Sequence, residues 1–85
     1  MQVDGAVIRE QGQIFAVVAV RKSVIDNRSD ANRAVLSFSN VFRLPVVLMA
    51  QDSRGRPTYY GRPDIAKFLA NVSLRAIPWR RYSIN

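Results

Sequence analysis

Residues Pro45 to Val72, PVVLMAQDSRGRPTYYGRPDIAKFLANV, decide the fold of this chain. Val46 to Ala50 is apolar at every position, so a strand there is buried on both faces and belongs inside a sheet. Pro45 stands where the strand opens, and its missing N–H costs nothing there. Asp52-Ser53-Arg54-Gly55 has Asp at the first position and Gly at the fourth, the pattern of a type I turn. Pro57 to Gly61 then returns as a short strand, placed at an edge because Pro57 cannot donate to a ladder. Pro63 suits the first position of a helix, and Asp64 adds negative charge at its positive end. Ile65, Phe68, Leu69 and Val72 recur on one side of that helix, which predicts a helix over 63–72.

Working towards the N-terminus, Asp26 to Asp30 is polar and rich in residues that cap helices. From Ala31 the apolar residues recur as Ala31, Ala34, Val35, Phe38, Val41 and Phe42, one face of a helix over 29–42 that stops before Pro45. Phe15 to Val20 is a second run without alternation, and so a second central strand. Ala6–Arg9 and Ile14–Arg21 flank Glu10-Gln11-Gly12-Gln13, where Gly12 can take positive φ, and read as a hairpin. After Pro78 the tail alternates, with Trp79, Arg81 and Ser83 on one side and Arg80, Tyr82 and Ile84 on the other. The expected fold is one mixed α/β domain over residues 1–85, a four-stranded mixed sheet with two helices. Its order is β-β-α-β-β-α, plus a C-terminal strand or strap. Two strands buried on both faces require the helices on opposite faces, or a partner covering one.

Eighty-five residues build a single core. A chain of this size buries only about 60–65% of its unfolded surface, so its stability margin is thin. It has no Cys and no His, which removes disulfides, thiolate chemistry and the usual general base. The longest apolar run falls far short of the roughly 18 residues that span a bilayer. The start lacks the basic and apolar regions of a signal peptide. The expectation is a cytoplasmic protein with no membrane partner. Thirteen basic and six acidic side chains give a net charge of +7, which favours anionic partners. Eleven of the basic residues are Arg. That bias is as well explained by a GC-rich coding background as by bidentate recognition.

Three sets of residues carry possible chemistry. Arg54, Arg56, Tyr59, Tyr60 and Arg62, with Trp79, Arg80, Arg81 and Tyr82, combine cations with aromatic faces as single-stranded nucleic-acid binders do. They form one surface only if the 52–62 hairpin and the tail lie side by side. The plainer reading sends the aromatics to the core and leaves the charges to guard sheet edges. The carboxylates Asp4, Glu10, Asp26, Asp30, Asp52 and Asp64 could pair for acid–base work or hold Mg²⁺. Each has a simpler role, as turn former, helix-start charge or exposed hairpin residue. The serines have no His to activate them, and no Gly-rich phosphate loop occurs. The order of elements from 14 to 84 also matches the ferredoxin-like plan of RNA-recognition motifs. Their signature is missing, because Arg56-Pro57-Thr58 follows Arg54-Gly55 where aromatics belong.

Phe42 to Leu48, a hairpin, and then Tyr60-Gly61-Arg62-Pro63-Asp64-Ile65-Ala66-Lys67-Phe68-Leu69 resemble the C-terminal half of thioredoxin- and glutaredoxin-type proteins. The resemblance covers about half the chain and implies that Pro45 is the family's cis proline facing the redox centre. The Cys-x-x-Cys of that family is absent, as is the helix after its first strand, so the implied relative is redox-inactive. The chain also resembles small bacterial proteins in general. The functional expectation is a non-catalytic basic binding module without cofactor or metal, its partner another protein or a second copy. A single-stranded nucleic-acid module is the alternative, and a redox-inactive thioredoxin-like domain is a second.

Overall fold

The computed structural model describes residues 1–10 and 12–84. In chain order it contains β1 (Gln2–Glu10), β2 (Gln13–Ala19), α1 (Lys22–Asp26), α2 (Arg28–Phe42), β3 (Val46–Gln51), β4 (Pro57–Tyr60), α3 (Pro63–Ala70), a 3-10 turn (Leu74–Ala76) and β5 (Arg80–Ser83). The strands form one mixed five-stranded sheet in the order β4-β3-β2-β1-β5. The pair β2–β3 is parallel, and the other three pairs are antiparallel. The expected four-stranded sheet is thus corrected to five. The tail is a full edge strand on β1, where it hydrogen-bonds Met1 to Ile84 in both directions. The sequence reading also gave no helix at 22–26. Among the described residues, no helix is long and apolar enough to cross a membrane.

Strand periodicity divides the core in two. Phe15, Val17, Val47 and Met49 turn to one face, where Ile65 and Leu69 of α3 and Ile77 cover them. Ala16, Val18, Val46 and Leu48 turn to the other, where Ala31 and Phe38 of α2 cover them. Val24 and Ile25 of α1 are half-buried on that second face. They explain why this short segment is helical: it seals one end of the α2 layer. The helices therefore do lie on opposite faces of the sheet.

Local chemistry fixes the ends of the elements. The Asn27 side chain accepts the Asp30 N–H at 3.0 Å and caps the start of α2. At its other end Arg43 takes the left-handed conformation, with φ 56°, and donates its N–H to the Ser39 carbonyl. Pro57 sits on β4 at a position whose main chain faces away from β3. The ladder bonds fall instead on the alternate pairs in register with Asp52–Arg56, so the missing N–H leaves no bond unmade. Gly61 has φ 153°, and a Cβ there would lie 2.9 Å from Val47 Cγ2 and 3.1 Å from the Val46 carbonyl. The chain passes so close to β3 at this point that only glycine is accommodated. No described peptide bond is cis, so the bond to Pro45 is trans. That corrects the cis proline implied by the thioredoxin resemblance.

Two substitutions test these backbone requirements by chemical denaturation. Arg43→Gly should raise stability by about 0.5–1 kcal/mol by relieving a left-handed non-glycine residue. Gly61→Ala should lower it by about 2 kcal/mol or more, because the new methyl overlaps β3.

Candidate functional site

The sheet order separates the residues that the sequence reading grouped. Arg54, Arg56, Tyr59, Tyr60 and Arg62 belong to β4 and its flanks, while Trp79, Arg80, Arg81 and Tyr82 belong to β5 and its approach. These strands are opposite edges of the sheet with three strands between them. The single composite surface is therefore corrected to two separate edges. The physical reason is that β5 reaches back to pair with the free side of β1, which leaves the free side of β4 at the far edge.

On the β4 edge the aromatics are committed. Tyr59 lies opposite Met49 and packs into the α3-side core, where its hydroxyl is buried without a hydrogen-bond partner among the described residues. Burial pushes the Tyr59 phenol above its ordinary pKa. Tyr60 turns to the α2 side and donates its hydroxyl to Asn32 Oδ1 at 2.5 Å. Two of the arginines are paired as well. Arg62 holds Asp64 through Nη2 at 2.6 Å and Nε at 3.2 Å. Arg56 Nε reaches Asp52 Oδ2 at 3.1 Å, while Asp52 Oδ1 accepts the N–H groups of Arg54 and Arg56. Asp52 is thus the organiser of the β3–β4 turn. The Arg54 side chain makes no ion pair among the described residues.

The β5 edge is less occupied. Tyr82 packs its ring edge-on against Phe42, with centroids 5.1 Å apart. Trp79 Nε1 donates to the Leu74 carbonyl at 3.1 Å and so is held against the α3 face. Arg81 Nε binds Asp4 Oδ1 at 2.7 Å, and its Nη1 reaches Gln2 Oε1 at 3.2 Å. Arg80, on the opposite face of the strand, is exposed and makes no ion pair among the described residues. The Met1–Ile84 pair is hydrogen-bonded in both directions, so alternation assigns the ladder bonds to Tyr82 and Arg80. The N–H and C=O groups of Arg81 and Ser83 consequently point outward from the sheet.

A feature that the sequence reading did not anticipate lies between these edges. A cleft of about 520 Å³ opens on the α3 face near the carboxyl ends of β2 and β3. Ala19, Met49, Leu74 and Trp79 supply its apolar walls, and Asp4, Gln51 and Arg75 its polar rim. Gln51 is tied by its Nε2 to the Gly55 carbonyl at 2.9 Å. No sequence motif marks the cleft, because it is assembled from four separate segments. Only the Trp79 alternation hinted at one wall. Comparison with protein-family models, with curated proteins and with solved structures finds no match to this chain.

The tyrosine pair makes opposite predictions in thermal or chemical unfolding. Tyr59→Phe removes an orphaned buried hydroxyl and should be neutral or stabilising, whereas Tyr60→Phe loses the Asn32 bond and should cost about 0.5–1.5 kcal/mol. The carboxylates give a second test. Hydrogen bonds from the Arg56 backbone N–H hold the Asp52 carboxyl below its usual value of 3.8, and the Arg62 guanidinium does the same for Asp64. A lowered folded pKa adds stability above the unfolded value, and that stability is lost as pH falls through the folded one. Stability should therefore fall as the pH drops below about 4. The Asp52→Asn, Asp64→Asn double variant should show a flatter acid limb in denaturation curves followed by circular dichroism.

Proposed function

We propose that this chain is a non-catalytic binding module that pairs with an acidic, extended segment of another protein along the outer edge of β5. The observation that supports this is the state of that edge. Arg81 and Ser83 turn complete N–H and C=O sets outward, unpaired among the described residues. Guanidinium groups stand on both faces of the strand, Arg80 without an ion pair among those residues and Arg81 bound to Asp4. Main-chain bonds of this kind supply affinity in strand addition, and side chains supply the choice of partner. The β4 edge is poorer in main-chain groups, because Pro57 offers it no N–H, while each edge carries paired arginines, Arg56 and Arg62 on one and Arg81 on the other.

Charge selects the partner. Pairing β5 with β5 of a second copy would bring four guanidinium groups together against two Asp4 carboxylates, a net positive cluster that disfavours self-association. An acidic strand meets the same groups favourably, and the charges that guard the edge become the means of recognition. The nucleic-acid alternative draws less support. Base stacking needs free aromatic faces, and Tyr59, Tyr60, Trp79 and Tyr82 are all engaged in packing or hydrogen bonds within the fold.

The test is amide exchange measured by NMR with a short peptide of alternating Glu and Val. Slowed exchange at Arg81 and Ser83 is expected, together with about tenfold weaker binding by Arg80→Glu. Equal binding of an alternating Lys–Val peptide would overturn the proposal, as would protection confined to another part of the sheet. Protection produced instead by single-stranded oligothymidylate, with a steep salt dependence, would transfer the function to nucleic acid.

A further inference from the structure

We infer that the cleft on the α3 face is a binding site for a small amphiphilic carboxylate, an aliphatic chain bearing one negative charge. This site is distinct from the outer edge of β5, although the Asp4–Arg81 pair and Trp79 join the two. The volume of about 520 Å³ lies within the range that ligand pockets occupy. It is also open to solvent while the apolar core beneath it is closed. Its floor exists because Ala19 stands opposite Met49 on adjacent strands, where a larger side chain would have filled the space.

The walls are fixed before any ligand arrives. Trp79 is anchored through Nε1 to Leu74, the residue that forms the facing part of the wall. The 3-10 turn carrying Leu74 and Arg75 is itself capped by Ser73, whose hydroxyl accepts the Arg75 N–H at 3.3 Å. A site held in this way spends little free energy on ordering itself around a ligand.

The charges on the rim define the head group. Asp4 is compensated, because Arg81 binds it at 2.7 Å from the neighbouring strand. Arg75 has no ion-pair partner among the described residues, so the rim carries one unbalanced guanidinium. A guanidinium matches a carboxylate with two parallel hydrogen bonds. A doubly charged phosphate would bring two negative charges to a rim with one unbalanced guanidinium, and a cation would meet Arg75. One carboxylate on an apolar chain satisfies both the walls and the rim.

The experiment reads the site directly, because Trp79 is the sole tryptophan of the chain. Octanoate added to the intact protein should change Trp79 emission saturably, and octanol should bind more weakly. Arg75→Gln should weaken octanoate binding about tenfold while leaving octanol unchanged. Ala19→Leu, with its circular dichroism unaltered, should abolish the response to both. Should that variant fail to fold, the Arg75→Gln comparison decides alone. The inference is overturned if octanoate gives no saturable change, if octanol binds as tightly as octanoate, or if Arg75→Gln binds octanoate like the parent protein.

Discussion

The hydrogen-bonded pair β2–β3 leaves water on neither of its faces. Val17 and Val47 are fully buried on the α3 side, and Val18 and Leu48 on the α2 side. A parallel pair cannot be joined by a tight turn, so a crossover of helical length is obligatory, and α2 with α1 supplies the first cover. The opposite face then needs a second cover, and α3 provides it after the β4 return. Every other element is placed by that double demand. The strand β1 closes the ladder on one side of the pair and β4 on the other, and β5 pairs with the side of β1 that remains.

Those requirements were legible in the chain wherever they depended on neighbours in sequence. The unbroken apolar runs at 15–20 and 46–50, the spacing from Ala31 to Phe42, and the Asp52 turn and Pro63 start each state a local need. The structure places β2, α2, β3, β4 and α3 within a few residues of those readings. The length of β1 was not legible, because Gln2 to Asp4 pair with residues near the other end of the chain and not with β2. Gly5 lies in the same arrangement: a Cβ there would come within 3.1 Å of the Val17 carbonyl oxygen on β2 and would touch the Tyr82 ring at 3.4 Å. Nor was α1 legible, because two half-buried side chains, Val24 and Ile25, do not make a periodic pattern.

The candidate surface divides along the same line. Its two halves share a composition, and composition has no direction, so nothing in the residues themselves could say which edge each half would take. The tyrosines show the cost of that gap. Tyr59 and Tyr60 are adjacent in sequence and identical in chemistry, yet strand alternation sends one into the core with an unpaired hydroxyl and the other to a partner on α2. The cleft was the least legible part, since Asp4, Ala19, Met49 and Trp79 meet only in the folded sheet.

The pairing of β1 with β5 has a consequence for the order in which the molecule assembles. Asp4 and Arg81 are 77 positions apart along the chain, whereas β1–β2 and β3–β4 join across short turns. Closing the longest loop carries the largest chain-entropy cost of any contact in the sheet. The hairpins and the β2–β3 crossover therefore have less to overcome and come first, leaving β1 as a temporary edge. Docking of β5 is expected to come late. It covers that edge and, by bringing Arg81 to Asp4 and Trp79 to the α3 face, builds the cleft in the same movement.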